Sequence, residues 1–97
     1  MFGFYRAVLK AACEAHEAGE ISAADLRTIR RVRFRPFARA HLRELELTVA
    51  EDAVLAGRLT ASALEAPSEF DWDSLLDFIR ELLAMILEFI KSLLVIF

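Results

Sequence analysis

Apolar side chains recur every three or four residues over most of the chain, a spacing typical of α-helices. The first run covers residues 2–18, and Gly19 follows it as a C-terminal stop. A second helix is predicted to begin at about Ala23, because Ser22 and Asp25 have the spacing of a capping box. The apolar stripe of this second helix consists of Leu26, Ile29 and Val32.

Pro36 predicts a corner between the second helix and a third one. Proline cannot continue a helix from the preceding turn, so the second helix should end near Arg33. The third helix should begin at about Pro36 and run toward Gly57. Thr48 and Glu51 repeat the capping-box spacing inside it, which allows a kink near Thr48.

The last part of the chain carries the strongest helical pattern. Asp71 is placed as an N-cap, with Phe70 before it and Leu75 after it as a hydrophobic staple. Of the 26 residues from Trp72 to Phe97, 18 are apolar. We therefore expect one long helix, about 39 Å from end to end at 1.5 Å per residue.

The polar residues of this last helix occupy a stripe about 120° wide, and the rest of its circumference is apolar. A helix on the core of one monomer buries a stripe of roughly 100°, so an apolar face this wide predicts several neighbours. We expect it to be an assembly or membrane face. Its residues are Trp72, Leu75, Leu76, Ile79, Leu82, Leu83, Ile86, Phe89, Ile90, Leu93, Ile96 and Phe97.

The predicted fold is all-α, with a three-helix N-terminal unit and one long hydrophobic C-terminal helix. Residues 1–61 form the helical unit, residues 62–69 form a connector rich in turn-forming residues, and residues 70–97 form the assembly helix. At 97 residues the chain is one domain at most, with these parts as internal segments.

Composition narrows the function classes. Hydrophobic residues make up 57% of the chain, more than the roughly 45–50% of a typical soluble domain, so some should face a partner or lipid. With two His, one Cys and no Gly-rich loop, the inventory for catalysis is thin, and no enzyme activity or cofactor is predicted.

Charge is segregated along the sequence. Residues 1–66 contain 10 Lys+Arg and 9 Asp+Glu, a net of +1, whereas residues 67–97 contain 2 and 6, a net of −4. No acidic residue interrupts the segment between Leu26 and Arg43. That segment and its end hold seven arginines, namely Arg27, Arg30, Arg31, Arg33, Arg35, Arg39 and Arg43.

Three partners suit this arginine cluster. Nucleic acid is one, because guanidinium groups bind phosphate bidentately and Phe34 and Phe37 among the arginines could stack on bases. An acidic protein is the second. The acidic C-terminal helix of the same chain is the third, and the sequence leaves all three open.

Other chemistry-bearing residues predict no site. Cys13 and His16 share a helix face and His41 could add a third zinc ligand, but a second Cys is missing and no metal site is predicted. Asp77 and Arg80 have the i, i+3 spacing of a helix-supporting pair. The acid pairs are predicted to be solvated helix faces: Glu44/Glu46, Glu51/Asp52 and Asp73/Asp77.

The closing pattern, residues 70–91, reads FDWDSLLDFIRELLAMILEFIK. It resembles the end of small phage-encoded proteins of about this length, which have a short helical front part and an Asp-Trp-capped hydrophobic tail. The resemblance implies a minor virion component or a holin-like membrane protein, and no catalytic residues carry over from it.

The function expected first is that of a structural assembly protein, a homo-oligomer that associates through its C-terminal helix. A membrane pore built from oligomerised C-terminal helices is the alternative, and a nucleic-acid packaging protein using the arginine cluster is the second. The N-terminus lacks the basic and apolar regions of a secretory signal, so we expect cytoplasmic synthesis, with a virion or a membrane as possible destinations.

Overall fold

The secondary structure of this protein is helical. The computed structural model describes residues 2–96, apart from the side chains of Phe2, Ser68 and Ile96, and within that range it contains helices and no strand. The predicted all-α class is therefore confirmed.

The first two helices follow their predicted boundaries closely. Helix α1 spans Phe2–Glu17 and helix α2 spans Ala23–Arg31. Between them Gly19 has φ +77°, a left-handed conformation that glycine adopts without the steric cost of a Cβ. The hydroxyl of Ser22 accepts a hydrogen bond of 3.1 Å from the backbone N–H of Asp25, which forms half of the predicted capping box.

Helix α3 is a single element that spans Pro36–Leu55. Proline at the first helical position loses no hydrogen bond, because that N–H has no intrahelical partner in any case. The kink that the sequence allows near Thr48 does not occur. Its hydroxyl donates a 3.0 Å hydrogen bond to the Glu44 carbonyl one turn earlier, and the helix continues until Gly57, at φ +74°, terminates it.

The predicted connector is not extended chain. It folds into two short 3-10 turns, Ala61–Glu65 and Pro67–Glu69. The second turn is fastened to the core, since the indole N–H of Trp72 donates a 2.9 Å hydrogen bond to the Pro67 carbonyl.

The C-terminal part is not one long helix. It comprises a 3-10 turn at Trp72–Leu75, helix α4 at Leu76–Glu81 and helix α5 at Leu83–Ile96, with a turn at Leu82 between the two helices. Asp71 does act as an N-cap, but of the 3-10 turn, where its side chain accepts from the backbone N–H of Asp73 at 3.2 Å.

The break at Leu82 coincides with a change of packing partners. Helix α4 packs chiefly on α1, whereas α5 packs on α2 and α3. The turn thus lies where the apolar stretch passes from one set of neighbouring helices to the next.

One hydrophobic core joins the N-terminal helices to the C-terminal segment. Trp72 lies at its centre, 1% exposed, with its ring 5.0 Å from Phe4 and 5.4 Å from Phe70 in edge-to-face geometry. Ile79, Ile86 and other residues of α4 and α5 belong to the same cluster as the buried side of α1. The molecule measures 18 Å in its thinnest direction, which accommodates two layers of helices.

Candidate functional site

The arginine cluster occupies one continuous segment of the chain, which we call the basic corner and define as residues 27–43. It comprises most of α2, a 3-10 turn at Val32–Phe34, and the first two turns of α3. The chain changes direction at Arg35, where φ is −122° and ψ is 88°, before Pro36 begins the next helix. Leu26, Ile29 and Val32 are buried as predicted, so the arginines between them face outward.

Exposure is the first property of the basic corner that matters for binding. Arg39 is half-buried and the other six arginines are exposed. Arg30 donates a long hydrogen bond to the Cys13 sulfur at 3.8 Å, and Arg33 lies over the ring of Phe34. Within residues 2–96, Arg27 and Arg31 form no ion pair.

In the described part of the chain, the ion pairs of the C-terminal segment involve one of its acids, Asp77, and its two cations, Arg80 and Lys91. Asp77 binds Arg58 at 2.7 Å, which replaces the predicted helical pair of Asp77 with Arg80. Arg80 instead reaches Glu20 of the α1–α2 loop at 3.0 Å. The Arg58 guanidinium also holds the pKa of the Asp77 carboxyl below its usual value.

Two further ion pairs join the C-terminal segment to the N-terminal helices. Arg80 lies 3.7 Å from Glu14 of α1, and Lys91 of α5 lies 3.5 Å from Asp25 at the start of α2. The ion pairs that tie the C-terminal segment to the N-terminal helices thus use cations outside the basic corner. The sequence left the acidic C-terminal helix open as a partner of the arginines. These contacts do not support that pairing.

The charged side chains at the start of α3 have the opposite sign from those that stabilise a helix N-terminus. Acidic side chains near a helix N-terminus are stabilising, because the N-terminal end of the helix dipole is positive. The first turn of α3 contains no acid, and its N-cap residue Arg35 makes no capping hydrogen bond from its side chain. Arg39 adds a second cation close to that end. By contrast, Arg30 and Arg31 in the last turn of α2 do match the dipole of their own helix.

Two phenylalanines sit in the middle of these cations. Phe34 is 76% exposed and Phe37 is 73% exposed, and neither belongs to the core or to the half-buried side chains packed against it. The guanidinium carbon of Arg33 lies 5.7 Å from the Phe34 ring centroid, a cation–π contact that covers one face of the ring.

Tyr5 holds the basic corner on the body of the protein. Its hydroxyl donates a 2.7 Å hydrogen bond to the Ile29 carbonyl near the end of α2. Burial raises the pKa of the Tyr5 phenol, although the charge of Arg33 opposes this effect. The phenol therefore remains a donor at neutral pH and fixes α1 to α2 immediately below the arginines.

The predicted assembly face lies largely inside this chain. Leu76, Leu82 and Phe89 are half-buried, while Phe97 and the side chain of Ile96 lie outside the described part of the chain. A wide apolar face needs several neighbouring helices, and here these are mostly α1, α2 and α3 of the same molecule. The fully buried members are Trp72, Leu75, Ile79, Leu83, Ile86, Ile90 and Leu93.

Glu46 is the residue that sequence reasoning placed wrongly. It was predicted to lie on a solvated face, but it is 2% exposed, and its Oε2 atom has no hydrogen-bond partner. Burial raises the pKa of this carboxyl. Its position could have been read from the sequence, since Leu42 and Val49, one turn before and after it, are buried on the same side of α3.

The remaining candidate chemistry does not assemble into a site. Cys13 is half-buried beside Arg30, and His41 lies 3.7 Å from Glu44 on its own helix. Over the described residues there is no cluster of three or more His, Cys, Asp or Glu that could hold a metal ion. Nor does any helix within residues 2–96 have the length and apolar content needed to cross a membrane.

Comparison with known proteins adds no relative: no protein-family model, no curated protein and no solved structure matches the chain.

Proposed function

We propose that this protein is a non-enzymatic nucleic-acid-binding module that contacts the phosphate backbone through its basic corner. The observation that carries the proposal is the exposure of six arginines within a segment that contains no acid. Arg27 and Arg31, one helical turn apart on α2, have no ion pair within residues 2–96 and are available for phosphate.

The charge arrangement at α3 supports the same proposal. Arg35 and Arg39 lie near the helix N-terminus, where the helix dipole disfavours cations. Local rules of stability are most often broken at functional sites. A phosphate group at this point would meet both the arginines and the positive end of the helix dipole.

The net charge of −3 is compatible with this proposal because charge is segregated. Asp77 of the C-terminal segment pairs with Arg58, which lies outside the basic corner, and the acid-free basic corner keeps a local excess of positive charge.

The test is the salt dependence of binding. Affinity for a fluorescently labelled oligonucleotide, followed by anisotropy over a series of KCl concentrations, should fall with a slope of about 0.7 per phosphate contact for a single strand. The double variant Arg27→Gln with Arg31→Gln should bind more weakly, with a slope smaller by about 1.4. Arg58→Gln, a change outside the basic corner, is the matched control and should bind like the native protein.

Two results would overturn the proposal. The first is native protein that binds no oligonucleotide at low salt. The second is a correctly folded double variant, judged by circular dichroism, with unchanged affinity and slope.

Self-assembly through α5 is a second candidate, favoured by one observation. Val95 is 87% exposed near the end of this helix, beside the half-buried Leu94. In this version only the outer side of α5 contacts a second copy. Light scattering after size exclusion should then give a discrete oligomer that Val95→Glu converts to monomer, and a native monomer at all concentrations would remove this candidate.

A further inference from the structure

The basic corner contains two phenylalanines that are largely exposed to solvent. Phe34 ends the 3-10 turn and Phe37 occupies the second position of α3, and both rings face solvent for about three quarters of their area. The core beneath them is filled by Val32 and Ala38. Phosphate binding needs the arginines but gives no role to two apolar rings.

The surroundings of Phe34 favour stacking. Arg33 covers one face of its ring at 5.7 Å, which restrains the ring and leaves the opposite face to solvent. Phe37 follows three residues later, so the two Cα atoms lie within about 11 Å of each other. Pro36 between them has a fixed φ, which limits how far the two rings can move relative to each other.

We infer that the basic corner binds single-stranded nucleic acid in preference to duplex, with Phe34 and Phe37 stacking on unpaired bases while the arginines hold the phosphates. Bases in a duplex are already stacked on each other and offer no free face in the middle of the helix. Unpaired bases do offer one, and aromatic platforms beside a basic groove are how proteins bind single strands without sequence preference.

This inference rests on the proposed function and adds the strand form of the ligand to it. An acidic protein segment would satisfy the arginines, whereas a single strand supplies in addition a planar base at every nucleotide for the two rings. Cations and aromatic rings alternate along this segment, in the order Arg33, Phe34, Arg35, Phe37. A nucleic-acid strand likewise presents phosphates and bases in alternation.

The experiment compares a labelled oligothymidylate with a duplex of the same length, at one salt concentration, for four proteins. These are the native protein, Phe34→Leu, Phe37→Leu, and Leu55→Ala as control. Leucine keeps an apolar side chain but removes the aromatic face. Leu55 is 86% exposed and lies outside the basic corner, so it reports on the loss of an exposed apolar group as such.

The native protein should bind the single strand more tightly than the duplex. Each phenylalanine variant should lose between about 5-fold and 150-fold in affinity for the single strand, the range of one base–aromatic stack. Affinity for the duplex and the salt slope should not change in these variants, and the Leu55 variant should match the native protein with both ligands.

The outcomes separate the two proposals. Equal binding of both ligands, or phenylalanine variants with native affinity for the single strand, would overturn the stacking inference and leave phosphate binding in place. Equal weakening toward both ligands would also overturn it, because the rings would then serve a contact that duplex provides. No binding of either ligand would overturn both proposals and direct attention to an acidic protein partner.

Discussion

Replacing Ile86 by alanine tests whether the apolar face of α5 serves this chain or a neighbouring one. Ile86 is 0% exposed within a single molecule. The substitution removes three carbon atoms, and at about 0.8 kcal/mol for each the lost transfer free energy is about 2.4 kcal/mol. A residual cavity adds to this value, so we expect the free energy of unfolding to fall by about 2.5–4 kcal/mol.

The assay is urea denaturation followed by circular dichroism, repeated over a wide range of protein concentrations. The decrease should be the same at every concentration, because the neighbours of the Ile86 side chain belong to its own molecule. Val95→Ala is the matched control on the same helix, where exposure of 87% predicts a change within about 0.5 kcal/mol. A decrease below about 1 kcal/mol for Ile86→Ala, or one that depends on concentration, would refute the reasoning and return this face to an assembly role.

Two further predictions concern carboxyl groups. Glu46→Gln should raise the free energy of unfolding at pH 7 by about 1 kcal/mol, because a buried charged oxygen without a partner becomes neutral. Since burial raises the pKa of Glu46 in the folded state, this gain should shrink as the pH falls through that pKa toward 4.5; an equal gain at pH 4 and pH 7 would contradict it. Arg58→Gln should raise the pKa of the Asp77 carboxyl, measured by NMR titration, because the guanidinium that lowers it is removed. In the native protein the stabilisation from Asp77 is present above the ordinary pKa of 3.8 and is lost as the pH falls through the lower folded value; an unchanged pKa in the variant would show that Arg58 is not the cause.

Helix boundaries were the part of the fold that local sequence determined. Ser22, Pro36 and the glycines at 19 and 57 act through the backbone of their own neighbourhood, so their effect does not depend on distant residues. The break at Leu82 has no such local cause. No proline or glycine lies near it, and it coincides with the change of packing partners between α4 and α5, information that periodicity along one segment does not contain.

The candidate site, like the fold, could be predicted from the sequence only in part. The absence of acids around the arginines could be read from the sequence, and the structure adds exposure and the lack of ion pairs at Arg27 and Arg31 within residues 2–96. The apolar face of the last segment could be read from the sequence, and the structure buries most of it against helices of the same chain; association with a second copy stays a prediction. A hydrophobic pattern predicts how much of a helix surface must be buried. It does not predict whether the residues that bury it belong to the same chain or to another one.

The contact between Phe4 and Trp72 also governs the order in which this protein can fold during synthesis. The core of α1 is completed by the last quarter of the chain, and the ion pair between Arg80 and Glu20 joins residues 60 positions apart. Contacts this distant must wait for the whole intervening chain, and their closure slows folding. Until α4 and α5 have left the ribosome, the part of α1 that packs on them stays uncovered and open to aggregation or to a chaperone. The nascent chain is thus at its most vulnerable after α3 has formed and before its C-terminal segment emerges.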